Sequence, residues 1–421
     1  MKKTGYWFGC FVVLISAFSH SQEKVLKNGL RTVFFKSRSP ITSAVILIKT
    51  GEADTLPYLA TITNRMLLRG TEIRNSQQMY RELEVTGGRI GSSTLFSFSS
   101  VFLQAPSEHF MGCFDILCES VARASFDSSE IARANEIPAG QDKPYEMNFT
   151  RKAFLMDAPL RRKLFSGSEL GRDIIQKPVS YSIKQILDFY RSWYRPENMI
   201  VAVSGRFNKD AVVKALEAYW KAPGKTVPNG VHTLSTGHPD TSVAILAHQQ
   251  SKDWIWIGYP APPFMGSGFE AILLLEMALA NGNAAYFPKQ VFSDKTMEID
   301  VQSYYQSEPS FGYFGFQIST PPGTGIGVKD QILAELEKIR NRGFPETYFE
   351  IGKRRMQSRI AILSQYTIYN AMFATMVGAS GNAIVNFPDF EKRIGLLTLQ
   401  QVNGVAKELF VHPVVVVLQS R

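Results

Sequence analysis

Residues 57–70 read Pro57-Tyr58-Leu59-Ala60-Thr61-Ile62-Thr63-Asn64-Arg65-Met66-Leu67-Leu68-Arg69-Gly70. Leu59, Ile62, Met66 and Leu67 recur at three- and four-residue steps, which places them on one buried helical face. Pro57 suits a first turn and Gly70 a stop. The segment from Gly70 to Ser93 continues as a second amphipathic helix over 76–85, which ends at Gly87-Gly88. Working outward, Asn28-Gly29 is a strong hairpin-turn signal. Ala44 to Ile48 is a continuous apolar run, as expected of a strand covered on both faces. Residues 89–105 alternate as two strands and 107–124 as a third helix. A fourth helix opens at Asp127 and is interrupted by Pro138 and Gly140, because proline removes a backbone donor and clashes with the preceding turn.

Further along, helices are expected over 154–164, from a Ser180–Gln185 capping segment to Tyr194, and over 209–220, with a strand at 199–204. The second half reads as strands at 242–247, 254–258, 298–305 and 311–320, helices at 268–280, 328–340, 346–365, 369–378 and 398–410, and a last strand at 413–418. No element is assigned to 379–397. Two stretches match in type. From Ser182 the chain runs S-x-K-Q-I-x-x-F-Y-R-x-x-Y-x-P-x-x-M-I-V-A-V, and from Thr398 it runs T-x-Q-Q-V-x-x-V-A-K-x-L-F-x-x-P-V-V-V-V. Both are a capped helix, a proline and a buried strand, each closing one half, so a duplicated architecture is expected. With 421 residues and roughly 100–200 residues per domain, the expected division is a signal at 1–21, a first domain at 22–222, a linker at 223–240 and a second domain at 241–421.

Lys2-Lys3, an apolar run over 7–18 and Ser19-His20-Ser21 form a secretory signal pattern. The mature chain is therefore expected in the periplasm or outside the cell, with no later run long enough to span a membrane. The net charge is +9. No Lys/Arg block with interleaved aromatics accompanies it, which argues against nucleic-acid binding. Cys113 and Cys118, five apart on one helix, stand too far apart for an unstrained disulfide and read as core residues.

Met66-Leu67-Leu68-Arg69-Gly70-Thr71, the Gly87-Gly88 strand segment, Tyr194-Arg195-Pro196-Glu197-Asn198-Met199 and Ile257-Gly258-Tyr259-Pro260-Ala261-Pro262 carry a resemblance. The chain resembles the pitrilysin/insulinase family of zinc peptidases, which includes the mitochondrial processing peptidases and the core subunits of the respiratory cytochrome bc complex. The resemblance spans nearly the whole mature chain. It implies an α+β fold of two homologous α/β-sandwich domains, each a mixed, largely antiparallel sheet with helices packed on it. In the family, the first helix carries H-x-x-E-H and a later Glu completes the zinc site. At those positions this sequence has Thr61, Asn64, Arg65 and Gln141.

Zinc here needs two neutral imidazoles one helical turn apart and a carboxylate that takes a proton from bound water. A hydroxyl, two amides and a guanidinium supply neither, and the guanidinium stays charged and repels the ion. The expectation is a pseudopeptidase with no cofactor and its zinc binding lost. Its expected partners are an active family peptidase, in a hetero-oligomer, or a second copy of itself. An extended peptide could lie along Gly87, Gly88, Ile90 and Gly91, though two glycines also simply end a helix through a left-handed cap. The family's second-domain R-x-x-x-Y positions fall on Lys295 and Ile299, which lack its chemistry. Two alternatives stand beside this reading. One is an envelope scaffold or assembly subunit. The other is an active peptidase with ligands displaced onto Glu108, His109, Glu119, Glu130 or Glu136.

Overall fold

The computed structural model describes residues 22–136, 158–172, 180–221, 239–248, 251–293 and 298–420. The signal segment, Gln141, Lys295, the break at Pro138 and Gly140, and most of the linker lie outside them. The first half contains β1 (Gln22–Val25), β2 (Arg31–Lys36), β3 (Ile41–Ile48), α1 (Leu59–Met66), α2 (Ser76–Val85), β4 (Arg89–Thr94), β5 (Ser99–Pro106), α3 (Phe110–Ala122), α4 (Ser128–Glu136), α5 (Ala158–Leu164), α6 (Ile183–Trp193), β6 (Met199–Gly205) and α7 (Lys209–Tyr219). The second contains β7 (Ala244–His248), β8 (Asp253–Ala261), α8 (Phe269–Leu279), β9 (Asp300–Glu308), β10 (Phe311–Thr320), α9 (Gly325–Arg342), α10 (Glu346–Ser364), α11 (Thr367–Ala379), α12 (Phe387–Leu396), α13 (Leu399–Leu409) and β11 (Val414–Ser420).

The strands form a six-stranded sheet, β1-β2-β6-β3-β5-β4, and a five-stranded sheet, β7-β11-β8-β10-β9. Setting β1 aside, the second order repeats the first. In each sheet the strand after the capped helix pairs in parallel with one neighbour, β2 or β7, and the remaining pairs are antiparallel. The matched caps repeat as well. Ser182 accepts from Gln185 N at the head of α6, and Thr398 accepts from Gln401 N at the head of α13, each in a reciprocal capping box. The duplication expected from the sequence is therefore present strand by strand.

The hairpin expected at Asn28-Gly29 joins β1 and β2, and β2 then pairs with β6 rather than with the next strand in sequence. Residues 387–396, given no element above, form α12. Asn386 accepts from Asp389 N there, and Pro388 sits in the first turn. A proline in that position starts a helix because its missing N–H would have been unpaired anyway.

The halves are joined by an exchange of helices. α5 of the first half lies on the second sheet, where Leu160, Leu164 and Phe165 pack with Trp256, Tyr313, Val414 and Val416. α11 of the second half lies on the first sheet, where Ile368, Ala371 and Ala374 pack with Val33, Val45, Phe102 and Ala202. Close approach is built in. A Cβ at Gly258 would come within 2.7 Å of Leu160, so the glycine of β8 makes the seat for α5. On the other side, Arg31 donates to the carbonyl of Gly378 at 2.7 Å, near the end of α11, where a cation suits the helix dipole. Ser43 and Thr367 share a buried hydroxyl–hydroxyl bond of 2.7 Å. Apolar contact of this kind joins the halves as a core does, rather than as a transient interface.

Candidate functional site

Every residue of α1 is buried. The helix begins at Tyr58, held at φ 73°, and its first turns are received by Glu52 from a short 3-10 turn, Glu52–Asp54. One carboxylate oxygen of Glu52 accepts from Tyr58 N at 2.6 Å. The other accepts from Thr61 N at 2.9 Å and Thr61 Oγ1 at 2.5 Å. Thr61 therefore spends its hydroxyl on an acid nine residues earlier in the chain.

Asn64 is 1 % exposed. Its Nδ2 donates to the carbonyl oxygens of Ser93 at 2.9 Å and Ser100 at 3.2 Å and lies 3.1 Å from Thr94 Oγ1. Ser93 and Ser100 face each other across β4 and β5, so one amide fastens α1 to both strands. Its oxygen accepts from Tyr194 Oη at 3.5 Å. Burial pushes the Tyr194 hydroxyl far above its ordinary value, so it stays a donor. A carboxylate at position 64 would instead face two carbonyl oxygens out of water, an unfavourable arrangement for an ion. Arg65, one helical turn after Thr61, is spent on Tyr58. Its Nη1 donates to Tyr58 Oη, and its guanidinium stacks 5.2 Å from the Tyr58 ring centre.

A zinc ion would need neutral nitrogen or anionic oxygen donors converging from one face of α1. The described side chains there are a hydroxyl bound to Glu52, an amide whose donors are aimed at strand carbonyls, and a guanidinium bound to tyrosine. That set does not fit the ion.

The residues considered as displaced ligands are spread out. Glu119, fully buried, is held by Thr71 Oγ1 and Arg74 Nη1, which anchors the Gly70-Thr71 turn after α1. Glu130 faces Arg69 at 3.8 Å, and Glu108 and His109 form an exposed pair. Nothing is described of the Glu136 side chain. Among the described residues, no three His, Cys, Asp or Glu side chains come together as a metal site. Cys113 and Cys118 are buried free thiols.

Gly87 and Gly88 close α2. Gly88 N donates to Leu83 O at 2.7 Å and Gly87 N to Glu84 O at 3.1 Å, with Gly87 at φ 70°, a Schellman cap. Ile90 and Gly91 lie on β4, the end strand of the first sheet. Ile299 is packed against the core of the second half. Sequence reading missed Glu52, Tyr58 and Tyr194. Glu52 and Tyr58 flank a turn with no periodicity, and Tyr194 reads as a helix end and part of a motif, with nothing in order to pair it with Asn64.

Asn64→Leu is expected to strand the Ser93 and Ser100 carbonyls and cost about 2 kcal/mol. A urea midpoint equal to that of the unsubstituted chain would contradict this account of the amide.

The insulinase (peptidase family M16) model matches residues 33–168, and the peptidase M16 inactive-domain model matches residues 180–356. This chain belongs to the insulinase, or pitrilysin, family. It is 19% identical to an uncharacterised zinc protease of Bacillus subtilis, over 94% of this chain and 97% of that one. It is 20% identical to the zinc protease PqqE of Helicobacter pylori, over 95% and 94%. A crystal structure of a Helicobacter pylori protease superposes with a TM-score of 0.81 at 15% identity, covering 95% of this chain and 100% of that one. A structure described as a peptidase M16 inactive domain from Pseudomonas fluorescens superposes at 0.80, also at 15%, covering 95% and 98%. The two-domain mixed α/β fold of the family is thus the fold of this chain. The inactive-domain match begins at residue 180, and α1 lies within the insulinase match.

Proposed function

We propose that this chain is a non-catalytic member of the insulinase family that works by binding rather than by hydrolysis. In this reading it is exported and pairs with an active family peptidase, or with a second copy of itself, and it holds extended peptide rather than cutting it. The observation that carries the proposal is the committed state of α1. Thr61, Asn64 and Arg65 each satisfy a structural partner, and the donor direction of Asn64 is opposite to what a general base requires. Peptide capture is supported by the end position of β4, since an extended segment can add to a sheet edge through backbone bonds alone.

The test is elemental analysis of the purified chain together with turnover of internally quenched peptides with and without a zinc chelator. Zinc well below one ion per chain and no chelator-sensitive cleavage are expected. Stoichiometric zinc with chelator-sensitive cleavage would sink the proposal. Affinity capture from the native host addresses the partner. The expected product is a complex with a family member bearing H-x-x-E-H or with a second copy, whereas capture of envelope machinery alone would favour the scaffold reading.

A further inference from the structure

A second feature lies away from α1, in the second half. The end of α8 and one side of α10 enclose an open trough of about 430 Å3. Met277, Ile362 and Leu363 give it an apolar stretch, and Arg354, Arg355 and Arg359 line it with positive charge. Ile362 is 56% exposed, an unusual cost for a large aliphatic side chain beside three cations. Arg355 is held in place: its Nη1 donates to Met277 O at 2.9 Å, and its Nη2 lies against Gly282. The acid paired with these arginines among the described residues is Glu276, 3.9 Å from Arg359. Burial raises the Glu276 carboxyl to about 7, so it carries only part of its charge near neutrality and leaves the arginine lining strongly cationic. Among the described residues, no ion pair joins Arg354 or Arg355 to a carboxylate.

We propose that this trough binds an extended acidic peptide segment of the pattern acid-x-acid-x-aliphatic. Spacing favours a peptide over a small amphiphile. At about 1.5 Å rise per residue, Arg355 and Arg359 stand roughly 6 Å apart along α10 (Arg354 and Arg359 roughly 7.5 Å), and Ile362–Leu363 follow roughly 4.5–6 Å further. An extended chain places alternate side chains on one face at steps of about 6.6 Å. Two successive carboxylates on that face meet the two guanidinium positions in charge-assisted bonds, and the next side chain reaches the aliphatic stretch.

The inference does not depend on the zinc reading, and its test leaves α1 untouched. The probe is a fluorescein-labelled peptide, Gly-Glu-Ser-Glu-Ser-Leu-Gly, titrated with the full chain by fluorescence anisotropy. A matched probe carries Gln for both Glu. The acidic probe is expected to bind at least about tenfold more tightly than the Gln probe and to weaken as salt is raised. Arg354→Gln/Arg359→Gln, whose side chains face solvent, should cost the acidic probe about tenfold or more without altering the circular dichroism. Arg355→Ala should do the same but also removes the bond to Met277 O, so the double variant decides. Equal affinity for the two probes, or full affinity in the double variant, overturns the assignment. Self-association of the chain that is abolished by the double variant, with no probe binding, overturns it in favour of a contact between copies.

Discussion

Gly51→Ala is expected to lower the stability of the chain by about 3 kcal/mol. The backbone at Gly51 is extended, with φ −145° and ψ −159°, so any residue could adopt it and the obstacle is space. An added Cβ would lie 2.3 Å from Phe96 O, 2.4 Å from Leu95 O and 2.5 Å from Phe96 C. All three are backbone atoms that cannot rotate away. Relief requires the 95–98 turn to move, which breaks the bonds from Glu52 N to Leu95 O and from Ala53 N to Phe96 O, both 2.9 Å. Each lost bond adds about 1 kcal/mol. The damage spreads to α1, because Glu52 leads the 3-10 turn and receives Tyr58 and Thr61. A matched control is Gly112→Ala on α3, where the added methyl meets nothing within 4 Å. That change is expected to be neutral or stabilising by up to about 1 kcal/mol. Equal denaturation midpoints for the two variants would refute the steric account.

The second large effect is pH dependence from Glu308. This carboxylate at the end of β9 is fully buried and reaches across to the same 95–98 turn. It accepts from Ser97 N and Ser97 Oγ, both at 2.8 Å, and from Phe96 N at 3.4 Å. These bonds favour the charged form, but desolvation outweighs them and raises the carboxyl from its ordinary 4.5 to about 7. The folded state therefore binds this proton more tightly than the unfolded state. The contribution is fully present below about pH 4.5 and is lost as pH rises through about 7, a decline of about 3 kcal/mol across the window. Glu276, also raised to about 7, acts in the same direction. Glu308→Gln keeps one acceptor oxygen, enough for the two Ser97 donors that share Oε2, and cannot ionise, so its stability should fall much less between pH 5 and 7. Chemical denaturation at a series of pH values measures this, and parallel slopes for the two chains would rule out Glu308 as the source.

Both predictions converge on one turn. Leu95 and Phe96 receive the Glu52 turn of the first half, and Phe96 and Ser97 donate to Glu308 of the second. The Phe96 ring also packs edge-on against Phe311, 6.0 Å between centres, and lies 4.7 Å from the Arg161 guanidinium. A four-residue hairpin turn thus couples the buried surroundings of α1 to the junction between the halves. Changes at Gly51 and Glu308 are expected to interact when combined, because they share this partner.

By itself, the sequence determined the secondary elements with clear periodicity, the repeated plan of the two halves, and the identities of Thr61, Asn64 and Arg65. These are local facts. Spacing of apolar residues, capping boxes at Ser182 and Thr398 and a buried run such as Ala44–Ile48 act over a few residues and leave their mark in order. It also implied that the β3 run Ala44–Ile48 is covered on both faces, since those five residues are apolar, and that β6 is buried. Only the tertiary structure decided what covers them. α5 and α11 each cross to the opposite sheet, and nothing in the apolar residues of a helix names the distant surface they will meet. The same limit applies at α1. Its changed residues were legible, but their new partners Glu52, Tyr58 and the Ser93 and Ser100 carbonyls were not, because those hydrogen bonds are set by how the chain folds back on itself.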